Sequence, residues 1–274
     1  MKRVLSKRKI IAWIIILICL IGLIISIVNI VIWYKDNKKT ADQIEWLSTI
    51  AEIDEVETPE EIQEEPVEEE GYQLPSFYYD YMKMNLINVN FNELKAINSD
   101  TAGWIQVNGT NVNYPFVKTT DNSYYLTHSF DKSGNYAGWI FMDYRNNIKT
   151  FDKNTILYGH GRLDRTMFGS IRDILTNGWL NNPNNFVIKL STESENTLWQ
   201  VFSVYRIPTT NDYLRVSFSS NDDFKNFTNM LINRSQYNFN TTVSPDDYIL
   251  TLSTCHGQTD KVVIHAKLIK KETR

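Results

Sequence analysis

The pattern of apolar and polar positions divides the chain into three unequal parts. Residues 10–34 carry no charge and are mostly Ile, Leu, Val and Trp. A helix of that length extends about 37 Å at roughly 1.5 Å per residue, enough to cross a hydrocarbon core of about 30 Å with some tilt. Lys2, Arg3, Lys7, Arg8 and Lys9 precede it, and Lys35, Lys38 and Lys39 follow it, soon opposed by Asp36, Asp42 and Glu45. The larger basic cluster belongs in the cytoplasm, which puts the bulk of the chain outside. A cleaved signal peptide is the competing reading. Its apolar region is ordinarily about 7–15 residues and ends at small residues; here the run is longer and ends Asn29-Ile-Val-Ile-Trp33. It is therefore read as an uncleaved single-pass anchor. Between Glu52 and Glu70 acidic residues dominate, with Pro59 and Pro66. Such a segment repels itself and buries little. The expected organisation is a cytoplasmic tail (1–9), an anchor (10–34), an acidic extracellular linker (35–74) and one domain (75–274).

Within the domain the periodicity predicts a short helix, then many strands. Asn90 is placed to cap a helix carrying Phe91, Leu94 and Ile97. Residues 104–107 and 112–117 alternate around an Asn108-Gly109 turn, which predicts a hairpin. Pro115 suggests that its second strand lies at an edge. Further strands are expected at 138–143, 155–158, 186–190, 198–207, 248–253 and 262–269. Helices are expected at 167–175 and, with Phe224, Phe227 and Leu231 on one face, at 222–234. Many short strands with few helices favour a closed or nearly closed barrel.

Composition narrows the function. A net charge of −4 argues against a general nucleic-acid binder. The two cysteines, Cys19 in the apolar run and Cys255 near the C-terminus, do not suggest a disulfide framework. Four scattered histidines show no zinc-site spacing, and no phosphate-binding glycine loop is present; no cofactor is expected. Cys255 follows a strand-forming run, Tyr248-Ile-Leu-Thr-Leu-Ser253. A strand end holds a residue firmly while opening it to solvent, a good seat for a nucleophile. The competing role is a small buried apolar residue. His160 also follows a predicted strand and is flanked by Gly159 and Gly161. A thiol of pKa about 8.5 needs an activating partner at neutral pH, and a histidine near 6.5 can exchange the proton. His128 reads as a loop or strand-end residue, His256 as exposed, and His265 as facing outward from an alternating strand. Acyl transfer also needs a group that holds the oxyanion. Lys261 is the first cation after Cys255; Arg206, Arg215 and Arg162 are others.

At these residues the sequence resembles the class B sortases of Gram-positive bacteria. The resemblance covers most of 75–270. It is carried by Thr251-Leu-Ser-Thr-Cys255, Leu157-Tyr-Gly-His160, Asn111-Val-Asn-Tyr-Pro115, Asp121-Asn-Ser-Tyr-Tyr-Leu126 and the run from Gly138 to Asn146. It implies a mostly β fold: an eight-stranded barrel with N-terminal helices and, between strands 6 and 7, a helix that 222–234 supplies. It implies a membrane-anchored cysteine transpeptidase that cleaves a C-terminal sorting motif, Asn-Pro-x-Thr-like, on surface proteins. Cys255 would form a thioester with the Thr of that motif. An amine of a peptidoglycan precursor would resolve it, with His160 protonating the leaving amine and deprotonating the incoming one.

One position departs from the family. An Arg is expected just before the final Val-Val run, and here Lys261 stands there, only six residues after Cys255. Lysine keeps the charge without the planar two-pronged contact. Near the place where some members carry an Asp, this chain has Gly257. Two rival readings stay open: a hydrolase in which water resolves the thioester, and a non-catalytic wall-binding protein suggested by the missing Arg.

Overall fold

The computed structural model describes residues 7–56, 80–256 and 259–274; at Cys255 and His256 the backbone alone is described. Helix α1 (Lys7–Ile50) is followed by β1 (Ile53–Val56), β2 (Leu86–Val89) and α2 (Asn92–Ile97). Then come β3 (Thr101–Val107), β4 (Asn113–Val117), β5 (Phe141–Met142) and β6 (Asn154–Gly159). The short helix α3 (Asn177–Leu180) leads to β7 (Val187–Ser191) and β8 (Glu195–Pro208). Helix α4 (Asn221–Arg234), β9 (Ile249–His256) and β10 (Asp260–Thr273) complete the chain.

Eight strands close a barrel in the order β10-β8-β7-β3-β4-β5-β6-β9, the architecture expected. Its interior is apolar, and three fully buried tryptophans fill much of it. Each indole N–H has a partner, as buried indoles require. Trp104 donates to Asn113 Oδ1 at 2.7 Å, Trp139 to the Pro115 carbonyl at 2.8 Å and Trp199 to Thr197 Oγ1 at 2.8 Å. Helix α4 falls between the sixth and seventh barrel strands. Ser220 caps it by accepting from Asp223 N at 3.1 Å. Phe224, Phe227 and Leu231 then seal a second apolar cluster over Phe202, Tyr205, Ile249 and Val263.

That second cluster corrects the reading of His265. The outer face of β10 lies under α4, so its alternating residues are buried on both sides. His265 is fully buried; it meets Tyr205 Oη at 2.8 Å through Nε2 and Thr251 Oγ1 at 2.9 Å through Nδ1. Pro115 also departs from expectation, since β4 is inside the closed barrel. Its contact with β5 is the single registered pair Val117↔Phe141, so no continuous ladder calls on the N–H that proline lacks. The strand expected at 138–143 shortens to β5, and the helix at 167–175 becomes a 3₁₀ turn, Gly169–Asp173.

The largest difference concerns residues 35–56, expected as solvated linker. Helix α1 continues without a break past the apolar run to Ile50 and docks on the domain. Thr40, Gln43 and Leu47 form its buried stripe, continued by Ala51 just past its end and packed towards β4 and α2. β1 then pairs antiparallel with β2, from Ile53↔Val89 to Val56↔Leu86. The stripe is built largely of short polar and small residues, so its period of three and four hid among the charges. The remainder of the expected linker, 57–74, lies outside the described residues.

Candidate active site

The barrel topology brings three predicted site positions to one rim. β6 and β9 run parallel, with registered pairs from Asn154↔Ile249 to Gly159↔Thr254. His160 and Cys255 are therefore each one residue beyond the last pair. β10 returns antiparallel to β9, with Lys261↔Cys255 and Asp260↔His256 in register. The row across three neighbouring strands reads His160, Cys255, Lys261, and Ile207 of β8 continues it opposite Lys261.

His160 is half-buried and held from several sides. Its Nε2 lies 2.8 Å from the Leu126 carbonyl oxygen. A carbonyl only accepts, so Nε2 carries the hydrogen and the lone pair of the neutral ring sits on Nδ1. Leu126 is itself placed by a turn. Asp121 Oδ1 accepts from Ser123 N at 2.6 Å and Tyr124 N at 2.8 Å, starting the 3₁₀ turn Tyr124–Leu126. Tyr125 then donates to Asp100 Oδ2 at 2.9 Å and accepts from Asn98 Nδ2 at 2.8 Å. Gly138, at φ +63°, passes so close that a Cβ would lie 2.8 Å from His160 Cδ2 and 2.6 Å from the Tyr125 carbonyl oxygen. Behind the histidine, the loop closes on itself through Phe168 N donating to the His160 carbonyl at 3.1 Å.

Tyr158, two residues before His160, roots the strand end in a buried carboxylate. Asp143 is fully buried and accepts from Tyr158 Oη at 2.8 Å, Asn122 Nδ2 at 3.1 Å, and Arg145 Nε and Nη2 at 2.9 and 2.7 Å. Burial alone would raise its pKa; the Arg145 fork and the tyrosine hydroxyl outweigh that and hold it below the ordinary carboxylate value. Burial, and then Asp143, push the Tyr158 phenol upward, so it stays a donor.

Three further candidate cations pair with carboxylates. Arg206 Nε binds Asp260 Oδ2 at 2.7 Å, Arg215 binds Asp223 at 2.6 Å and Arg162 binds Asp164 at 2.8 Å. Arg206 is in register with Val262, one position out of step with Lys261. His128 stacks on Tyr124, its Nδ1 2.7 Å from the Tyr124 carbonyl oxygen, away from the row. Reading residues singly missed Leu126, Gly138, Asp143 and Tyr158 as supports of His160. The signal was in the runs Asp121–Leu126 and Gly138–Asn146, which stood out without roles.

The fold is a closed eight-stranded barrel with a cysteine and a histidine at one rim, and comparison with known proteins gives its class. Residues 105–269 match the Sortase domain family. Over 188 residues the chain is 35% identical to Sortase B of Staphylococcus aureus (strain NCTC 8325 / PS 47), covering 67% of this chain and 76% of that protein. The crystal structure of sortase B from B. anthracis in complex with AAEK1 superposes with a TM-score of 0.69 at 30% identity, covering 86% of this chain and 99% of that one. A Staphylococcus aureus sortase B–substrate complex gives 0.62 at 36% identity, covering 66% and 84%. The chain belongs to the sortase family, within class B, and is a sortase-type cysteine transpeptidase.

Proposed function

We propose that this enzyme cleaves a C-terminal sorting motif through a Cys255 thioester and passes the acyl group to a cell-wall amine. The observation that carries this is the row His160, Cys255, Lys261 set by the β6–β9 and β9–β10 registers. His160 Nδ1 takes the proton of the Cys255 thiol, and the resulting thiolate attacks the carbonyl carbon of the motif's Thr, in an Asn-Pro-x-Thr-like sequence. The tetrahedral intermediate collapses as His160 protonates the departing amine, leaving the thioester. An amine of a peptidoglycan precursor then attacks; His160 takes its proton, the amide forms and the thiolate leaves. With Nε2 turned to Leu126, Nδ1 is the nitrogen that exchanges the proton. Lys261 supplies positive charge to the oxyanion in both steps.

The same reading places the reaction outside the cell at the membrane surface. α1 is long and apolar enough to span a bilayer, and the basic cluster at residues 2–9 favours a cytoplasmic N-terminus. The depression beside His160 is bounded by Trp33, at the end of the apolar run, and by Tyr136 and Leu163. That proximity suits protein substrates and acceptors that are themselves membrane-held.

The test incubates the enzyme with a sorting-motif peptide library, with and without an amine acceptor, and reads products by mass spectrometry. Wild type is expected to form an acyl-enzyme and, with the acceptor present, an amide product. Acyl-enzyme in the Cys255→Ala protein refutes the assignment of the nucleophile, and water-cleaved product alone refutes transpeptidation.

A further inference from the structure

The domain grips α1 just beyond the apolar run, at residues 36–40. Tyr136 N donates to Asp36 Oδ2 at 3.2 Å, and Arg162 Nη2 donates to Asn37 Oδ1. Asp131 pairs with Lys39 at 3.3 Å, and Asn135 Nδ2 donates to Thr40 Oγ1 at 3.0 Å. Two loops therefore meet the helix at its first turn past the run, one carrying Tyr136 and the other Leu163. Leu163 is 84% exposed and Tyr136 75%. Among the described residues these are the two most exposed large apolar or aromatic side chains, ahead even of those in the apolar run. Single apolar residues scattered over a surface need no partner, whereas a group gathered in one place marks a contact surface. Leu163 and Tyr136 are gathered: with Trp33, the penultimate residue of the apolar run, they line the depression beside His160.

We infer that this face of the domain rests on the bilayer itself, with Leu163 and Tyr136 entering the interfacial layer and the His160 depression opening at that level. The inference rests on residues 10–34 lying in a bilayer. Depth then selects the partner. A helix rises about 1.5 Å per residue, so Asp36 and Asn37 stand about 3 and 4.5 Å beyond Tyr34, within a headgroup layer of roughly 5–7 Å. A tilt of about 20° lowers these heights by less than a tenth. Loops bonded to that turn have headgroups beside them, and a protein partner would have to displace lipid to reach them. Trp33, Tyr34 and Tyr136 each join an apolar ring to a polar edge, the type of side chain that settles where water meets hydrocarbon. Leu163 has no polar side-chain atom and gains by going deeper. The grip on residues 36–40 fixes which face of the domain looks down, and the two side chains add a second attachment. Two points of contact resist the rocking that a single helix allows, so the depression stays turned to the membrane.

The experiment measures depth with nitroxide labels on the full chain in phosphatidylcholine nanodiscs. It compares collision rates with oxygen, which concentrates in the bilayer, and with a nickel chelate, which stays in water. Cys255→Ala leaves Cys19 as the sole thiol, inside the apolar run, where a label reports the anchor. With Cys19→Ser added, single labels are carried by Tyr136→Cys, Leu163→Cys and Glu193→Cys. Glu193, exposed and paired with Lys95 of α2, is the reference for water. The labels at 136 and 163 are expected to favour oxygen over nickel, with that at 163 about 5–10 Å into the boundary between headgroups and acyl chains. Readings at 136 and 163 that match 193 overturn the proposal. Low collision rates with both reagents would put a protein contact there and overturn it equally. A Cys19 label that reads as water refutes the anchor, and the inference with it. A Cys19 label deep in the bilayer with 163 in water refutes the seating of the domain alone.

Discussion

His265 gives a pH test of the packing under α4. It is fully buried, and burial, followed by the nearby Arg234 charge, pushes its pKa from 6.5 down to about 3. Thr251 Oγ1 donates to Asn154 Oδ1 at 2.7 Å, so His265 Nδ1–H donates to Thr251 and Nε2 accepts from Tyr205. Protonation would strip Nε2 of its acceptor role at a position closed to bulk solvent. The unfolded chain takes the proton near pH 6.5 and the folded chain resists it until about 3. Stability is therefore fully present above pH 6.5 and falls as the pH drops through that window. At pH 5 the loss is about 2 kcal/mol, from 1.36 kcal/mol per pH unit over roughly 1.5 units. The depressed aspartates lose their contribution only below the ordinary carboxylate value of 3.8, so pH 5–6.5 isolates the histidine from them. Urea unfolding at pH 7.5 and pH 5 should show the drop in wild type. His265→Gln should be less stable throughout but lack the drop. Equal slopes in the two proteins would refute the buried neutral histidine.

Gly138→Ala should lower kcat/KM about 10²-fold in a peptide-cleavage assay, because its Cβ falls on His160 and displaces the ring. Far-UV circular dichroism should show the barrel retained. Asp143→Asn should cost roughly 3 kcal/mol in urea unfolding, since Arg145 and Tyr158 both lose their charged acceptor. Lys261→Ala should reduce kcat by about 10²–10³-fold while Cys255 still reacts with an alkylating reagent, and Lys261→Arg should match or exceed wild type. Normal turnover by Lys261→Ala would pass the oxyanion role to another group such as Arg206.

The barrel was readable where a turn signal separates two apolar runs, as at Asn108-Gly109 between β3 and β4, and where length settled the matter, as at β8 and α4. It was misread where both faces are covered. Alternation in β10 reads as inside against outside and puts His265 outward, whereas α4 covers the outer side. The docking of residues 35–50 was hidden because its buried stripe contains Thr40 and Gln43, which composition scores as solvent-facing. The positions of His160, Cys255 and Lys261 in chain order were legible, and their alignment across strands was not. Register between β6 and β9 joins residues 95 apart, and no local pattern encodes such a pairing.

That register bears on the proposed role of Lys261, where the resemblance implies an arginine. β6 and β9 are parallel, so both end at the same rim, and β10 begins there. Only residues 257–259 separate the last pair of the hairpin, His256↔Asp260. A hairpin this short ties Lys261 directly across from Cys255, at the roughly 4.5–5.5 Å spacing of neighbouring strand positions. Arginine's advantage in holding an oxyanion is a rigid fork that fixes direction. On the proposed reading the pairing sets where the Lys261 side chain starts, and that side chain has only to deliver charge. Lengthening the hairpin by two glycines after Gly257 should therefore lower kcat in the Lys261 protein far more than in Lys261→Arg, measured side by side. Equal losses would mean that the register does not set the charge and that the oxyanion is held from elsewhere.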